Sequence, residues 1–384
     1  MNGDRDYKIA MILHTNGIEY DDRIRKEMLT VMKLYPDIKF KIFVIIDGDS
    51  NASGEGVSDY GVEYYIPQLK SRTKYKPGTH LLAKAYDFYK TVNPMLKDFD
   101  ALWVANERVF FFVALCQKPI IWDWHELPIP FLGHGYMKFF LRYLMRRCKA
   151  VVHANPERID YIDSVHGLSN KERQFSIRNY PCFNEADKKI DDKFISFKSW
   201  LGNDDCVYLQ GASNEARCGL ESVRGIMAID GLKAVVVGKF DEKIKKQLQE
   251  EYGDILEKRL FFTGMVRQQM TPHYIRCCKV SLVLYRKTKP NNFYCEPNRM
   301  FQSIINECPV VVGVNPPMKA LVDKYHFGVV LKDDGSNVEG ISAGIKAALA
   351  GHDQLVDDIK KNKDKILWDS QDDEFRKIIN STFE

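Results

Sequence analysis

Short apolar runs, each followed by a polar turn and an amphipathic stretch, recur along this chain and restart once past its middle. That rhythm limits the fold more than any other feature. Residues 8–14 (KIAMILH) read as a buried strand and TNGIEYDD as a turn. RIRKEMLTVMKLY reads as a helix with Ile24, Met28, Val31, Met32 and Tyr35 along one side. Residues 39–46 (KFKIFVII) supply the next strand. Strand, turn, helix and strand in that order form a crossover unit, which makes a parallel sheet. The runs ALWVA (101–105), PIIWD (119–123) and AVVHA (150–154) extend it, with helices expected over 80–95, 109–115, 136–148 and 156–166. The span 47–61 is polar and rich in Gly and Ser and reads as a loop, with a short strand at 64–66.

The rhythm begins again at CVYLQ (206–210), with a turn over 211–219 and a helix over 220–229. AVVVG, LFFT, VSLVLY and PVVV follow as strands, with helices expected over 243–252, 271–278 and 338–349 and a last strand at 328–331. A length of 384 residues suits two domains. The expected fold is therefore α/β: two Rossmann-like, doubly wound parallel-sheet domains facing across a cleft. The expected division is 1–183, 184–366, and a C-terminal helix within 367–384 that packs back on the first domain. The polar, lysine-rich span 181–199 marks the divide. In such sheets ligands sit beyond the carboxyl ends of the strands.

Composition narrows the function. A net charge of +4 is mildly basic and far from a nucleic-acid binder's footprint. It suits an anionic small ligand or an anionic membrane surface. The nine cysteines are dispersed, with no C-x-x-C pair, so neither a zinc ribbon nor a redox motif is expected. Reduced thiols fit a cytoplasmic protein. The N-terminus has no signal-peptide layout, and no apolar run approaches the ~20 residues that a membrane span needs. The expectation is a cytoplasmic protein, at most peripheral on the inner face of a membrane. The stretch GYMKFFLRYLMRRCK (135–149) carries that second option: it is aromatic and basic, with Lys138, Arg142, Arg146 and Arg147. The same stretch also reads as a core-packed helix with a solvated basic edge.

Three strand ends carry the chemistry. In 291–312 (NNFYCEPNRMFQSIINECPVVV), Pro297 fits the first position of a helix and Glu296 its cap. Asn298 and Arg299 fall in the first turn, where free N–H groups and the helix dipole suit a phosphate. GASNEARCG (211–219) puts Arg217 and a run of backbone N–H groups just ahead of another helix, a second anion-binding arrangement. WDWHE (122–126) puts His125 and Glu126 just past a buried strand. Each also has a bland reading: a capped helix with a surface arginine, a solvated turn, and a histidine satisfying local backbone groups. Gly264 after LFFT and Tyr285-Arg286-Lys287 after VSLVL mark two more strand ends.

Together these segments resemble the GT-B glycosyltransferases, and most closely those of retaining family 4. EYDDRIRKE is similar to that family's D-x-R-[VI]-x-x-E segment, and WDWHE to its D-x-HE element. SIRNYP is similar to the N-x-P linker and FFTGMV to the F-x-G element. EPNRMFQSIINECPVVVG is similar to PNK-LFEY-x-x-x-G-x-PVV, the most specific of the set.

The resemblance implies transfer of a sugar from a UDP- or GDP-linked donor to a glycan or lipid-linked acceptor. Configuration would be retained, without a metal or other cofactor and without nucleic acid as a partner. It implies basic diphosphate ligands at Arg217 and Arg299, next to Gly211, with Asn298 and the helix N-terminus covering other phosphate oxygens and Gly264 on the donor side. It implies His125 beside the donor sugar and Glu126 on the acceptor side. The family's ribose-binding glutamate falls on Gln302, which can still hydrogen-bond a hydroxyl but carries no charge. The glutamate eight positions earlier falls on Tyr294, with Glu296 two residues out of register. The double-glycine turn of the family is reduced to Asn16-Gly17. Two other functions share the architecture: a non-hydrolysing nucleotide-sugar epimerase, and a nucleotide-sugar binding protein without catalysis.

Overall fold

The computed structural model describes residues 6–15, 17, 21–46, 53–76, 78–182, 190–211 and 214–384. They form two compact units, one of Met1–Asn179 with Gln371–Glu384 and one of Tyr180–Ser370. The sequence placed its divides a few residues away, at 183/184 and 366/367.

Unit 1 is built on eight strands: β1 Tyr7–Thr15, β2 Ile38–Ile46, β3 Gly54–Val57, β4 Glu63–Ile66, β5 Ala101–Ala105, β6 Ile120–Trp124, β7 Ala150–His153 and β8 Gln174–Ser176. Their order is β3-β4-β2-β1-β5-β6-β7-β8, parallel apart from the β3–β4 pair. β1 lies between β2 and β5, with Met11 opposite Ile42 on one side and Trp103 on the other. The strand order reverses there, opening a crevice at the carboxyl ends of β1 and β5. β5 and β6 are buried along their whole lengths, as a sheet covered on both faces requires. The Asp22–Leu34 helix covers one face with Ile24, Met28 and Val31 and is capped by Asp21, which accepts from the Ile24 N–H. The Asp372–Phe383 helix buries Phe375, Ile378 and Ile379 in the same unit, and Ser381 donates to the Lys149 carbonyl.

Unit 2 has six parallel strands: β9 Cys206–Gln210, β10 Lys233–Val237, β11 Leu260–Gly264, β12 Val280–Val283, β13 Val310–Val312 and β14 Gly328–Val330. Their order is β11-β10-β9-β12-β13-β14, so the reversal lies between β9 and β12. Val207, Leu209, Val236, Leu282 and Val311 meet Val223, Ile226, Ile341 and Ile345 in one core cluster. The α/β class read from the sequence, with a doubly wound, mostly parallel sheet in each of two units, is the one observed.

Several local expectations change. The polar span at 47–61 contains β3, an edge strand (GEGV) too glycine-rich to show in the pattern. The span read as linker contains the Asp192–Leu201 helix, capped by Asp191 and buried through Phe194, Phe197 and Leu201. The Pro316–Tyr325 and His352–Asn362 helices were not expected. The helix expected to begin at Pro297 begins at Asn298, with Pro297 extended at the cap position and no side chain capping it. Glu296 therefore lies one residue outside the helix rather than at its cap.

Candidate functional site

Both reversal points gather polar side chains, one set in each unit. In unit 1, a cleft of about 270 Å³ opens beyond β1, β5 and β6, lined by His14, Thr15, Asn106, Glu107, Arg108, His125 and Glu126. Asn106 ties the three strand ends together. It sits at φ +64°, a left-handed conformation that Asn tolerates better than most residues. Its amide donates to the His14 carbonyl (3.2 Å), its N–H to the Asp123 carbonyl (2.7 Å), and its own carbonyl accepts from Trp122 Nε1 (3.1 Å). Arg108 Nη1 lies 3.4 Å from His14 Nδ1. Burial raises the Glu107 carboxyl above its ordinary range.

Behind the cleft lies a fully buried cluster that joins two of the sequence segments. Asp123, at the end of β6, receives Arg23 Nη2 at 3.1 Å and His125 Nε2 at 3.2 Å. Arg23 Nε also lies 2.8 Å from Glu27, one helical turn along. A third Arg23 bond, from Nη1 to the Ile177 carbonyl at 2.8 Å, pins the guanidinium. One guanidinium between two carboxyls neutralises only one of them. Burial acts to raise Asp123, but Arg23 and then His125 outweigh it and hold Asp123 well below the usual carboxylate range. Burial and then the Asp123 charge push Glu27 well above it. Ligand atoms of Glu27, Asp123 and His125 lie within 4.8 Å of one another, a spacing that can hold a metal ion, but Arg23 already supplies a cation there. With Nε2 turned to Asp123, His125 is oriented by a buried carboxylate in the manner of a catalytic pair. Glu126 is exposed and pairs with Arg158 Nη2 at 3.0 Å. Gly17 is half-buried beside Thr15, and Asn16 lies outside the described residues.

In unit 2, two arginines meet at the end of β9. Arg299 reaches from the first turn of the Asn298–Ile305 helix to the Gln210 carbonyl through Nη1, and to the Leu284 carbonyl through Nη2 at 3.2 Å. It is 7% exposed and so is not the surface arginine of the bland reading. Arg217 Nη1 donates to the Gly211 carbonyl at 3.0 Å. Gly211 has φ +60°, and a Cβ there would stand 2.9 Å from Arg217 Nη1 and 3.3 Å from Arg299 Nη1. Both guanidiniums lie over the Tyr285 ring, at 5.6 Å for Arg217 and 4.7 Å for Arg299. Burial lowers the Arg299 pKa, and Arg217 adds to the effect. Among the described residues neither arginine has a carboxylate within 4 Å, so this is a paired positive charge of a kind suited to an anion.

The other residues singled out from the sequence scatter around that pair. Asn298 is exposed at the first turn of its helix, and Gln302 is half-buried one turn on. Tyr294 closes the short Pro290–Phe293 helix, and Glu296 is half-buried in the segment that follows. Gly264 is exposed at the end of β11 with φ +64° and accepts from the Gly238 N–H at 3.0 Å. It is on the opposite side of β9 from the Asn298–Ile305 helix in strand order.

No family model matches the chain, and no curated protein matches it in sequence. Its structure is similar to that of solved proteins over nearly their full lengths. Sucrose-phosphate synthase from Thermosynechococcus elongatus superimposes with a TM-score of 0.74 at 13% identity, over 98% of this chain and 99% of that one. The OtsA apo structure gives 0.71 at 11% identity over 99% of each chain. HepE from Anabaena, solved with UDP, gives 0.70 at 12% identity over 97% of this chain and all of that one. The chain has the GT-B fold.

Within that GT-B frame, four groups escaped the sequence reading. Arg23, Glu27 and Asp123 all stand in quoted segments, yet spacing alone gives no sign that residues 100 apart in the chain pair. Tyr285 marks a strand end in the sequence, and its place beneath two arginines leaves no trace there. Asn315, fully buried, donates to the carbonyls of Tyr285 and Asn292 at 3.2 Å and fixes the backbone there. Arg108 follows a strand and His14 stands near the end of one, as many residues without a role in a site do.

Proposed function

We propose that this protein is a glycosyltransferase of the retaining family 4 type. It moves a hexose from a UDP- or GDP-linked donor to a glycan or lipid-linked acceptor in polysaccharide biosynthesis. The work is done without a metal or other cofactor, in the cytoplasm and peripherally on the inner face of a membrane. The observation that carries the reading is the pair Arg217 and Arg299, two guanidiniums without a carboxylate at the reversal point of a doubly wound sheet. A diphosphate supplies the missing negative charge. As the bond from sugar to diphosphate stretches, charge grows on the leaving phosphate, and fixed cations favour that state over the ground state. The leaving phosphate can itself take the acceptor proton, so no enzyme nucleophile is required. On the acceptor side, the unit 1 cleft offers His125, held by Asp123, to a sugar hydroxyl. The HepE complex with UDP supports a nucleoside diphosphate as ligand for this fold.

Titration calorimetry with UDP and GDP tests the reading. One of the two should bind, and Arg217→Ala should weaken binding and slow transfer about a hundredfold, given ~3 kcal/mol for such a contact. Unchanged binding and transfer in that variant would defeat it. Gln302 and Tyr294, standing where the family has two glutamates, favour a second reading: a nucleotide-sugar binding protein that does not catalyse. Donor binding with no turnover across a broad acceptor panel would select it.

A further inference from the structure

Unit 1 carries an exposed face that the transfer chemistry leaves unused. On the Gly135–Arg147 helix, Leu141, Leu144 and Met145 point into the core. Tyr136 and Phe139, each 73% exposed, and Tyr143 follow one another at i, i+3 and i+7 on the side away from it. Lys138, Arg142 and Arg146, at i, i+4 and i+8, border that aromatic stripe on one side, and Arg147 borders it on the other. The stripe does not end with this helix. Ring contacts run from Tyr143 to Phe140 (6.4 Å), Phe110 (6.0 Å), Phe111 (4.4 Å) and Tyr86 (5.3 Å). They link it to the Phe111–Leu115 and Leu81–Val92 helices, where Leu81, Leu82 and Leu115 are also exposed. An apolar patch spread over three helices is more than scattered surface residues.

The charges decide what covers it. Arg142 donates to the Gly167 carbonyl (2.7 Å), Arg147 to those of Val113 (3.0 Å) and Cys116 (2.8 Å), and Arg173 to that of Cys148 (3.2 Å). Carbonyls hold these guanidiniums in place without neutralising them. Among the described residues none of Lys138, Arg142, Arg146, Arg147 or Arg173 has a carboxylate within 4 Å, and the Gly135–Arg147 helix has no acidic residue. A second copy of the chain would bring like charges together. A surface that is aromatic in the middle and positive at its border matches a lipid bilayer with anionic headgroups, where Tyr and Phe enter the interface and Lys and Arg meet the phosphates.

We propose that this three-helix face docks the protein onto an anionic lipid bilayer. It gives the peripheral placement proposed above a defined surface, while vesicle binding tests it whether or not the protein transfers sugar. Co-sedimentation with phosphatidylcholine vesicles, with and without phosphatidylglycerol, reads it directly. The protein should bind the anionic vesicles at least about tenfold more tightly, with affinity falling as salt rises. Tyr136→Ser with Phe139→Ser should lower binding about tenfold or more, and Leu82→Ser on the second helix should lower it too. These side chains are exposed, so thermal unfolding and UDP binding should stay as in the wild type. Equal binding to neutral and anionic vesicles, variants that bind like the wild type, or a dimer abolished by Phe139→Ser without vesicle binding would each overturn the proposal.

Discussion

Gly211 is the residue on which the unit 2 site turns. Its positive φ favours glycine, and the space a side chain would take is filled by two guanidiniums. Gly211→Ala should cost about 1–3 kcal/mol of stability through backbone strain and push Arg217 and Arg299 apart. Nucleotide affinity should then fall by more than the stability loss alone explains; calorimetry beside thermal unfolding measures both. Tyr285 gives a finer test. A buried ring under a cation is worth about 1–2 kcal/mol, so Tyr285→Leu should weaken nucleotide binding roughly tenfold while Tyr285→Phe keeps it. Equal losses in the two variants would place the effect on the hydroxyl and not on the ring. This pairing of arginines was only half legible. Arg217 and Arg299 each announced themselves by standing at the start of a helix. That both lean on one tyrosine depends on β9 and β12 being neighbours, which no local pattern encodes.

At the scale of elements, the Asp22–Leu34 helix and β6 are joined by ionic bonds that run through the core. Arg23 and Asp123 are 100 residues apart in sequence, and both are buried. Asp123→Asn takes away the carboxylate that Arg23 and His125 share, leaves Glu27 as the carboxyl nearest to Arg23, and should cost up to about 3–5 kcal/mol. Glu27→Gln should cost less than Asp123→Asn, because burial and the Asp123 charge favour the protonated glutamate that Gln mimics. Chemical denaturation of the two variants separates these outcomes; equal costs would show Glu27 to be ionised. The elements themselves were mostly legible. The 206–210 strand and the 156–166 helix fall where the apolar pattern put them. What escaped had a physical reason in each case. β3 is an edge strand with two glycines, and β8 has only three residues. The Pro316–Tyr325 helix opens on two prolines, which interrupt the apolar pattern although Pro suits a helix start. The Asp192–Leu201 helix hides in a charged stretch, although Asp191 followed by Phe194, Phe197 and Leu201 spells a cap and a buried face.

For the whole molecule, the two units should respond to different solutes, since each has its own core and its own buried polar groups. His153 is fully buried on β7 in unit 1. Its Nε2–H donates to Gln174 Oε1 at 3.0 Å, and Gln174 is in turn oriented by Asp163 at 2.9 Å. Burial lowers its pKa from 6.5 to about 3. Between those two values the unfolded chain holds a proton on His153 that the folded chain does not. Stability therefore falls as pH drops through that window, by several kcal/mol in all. Asp123 adds to the loss only below the ordinary carboxylate range, where its unfolded form takes up a proton first. Glu27 has the opposite sign: its raised pKa in the fold lowers stability as pH rises above its ordinary value of 4.5. Calorimetric scans at pH 7, 5 and 4 with saturating nucleotide should therefore resolve two transitions. Ligand raises that of unit 2 by mass action, and acid lowers that of unit 1. His153→Gln keeps a donor for Gln174 and cannot titrate, so it should flatten the acid dependence of the unit 1 transition. If its slope between pH 6.5 and 4 equals that of the wild type, the acid sensitivity lies elsewhere and His153 is not its source.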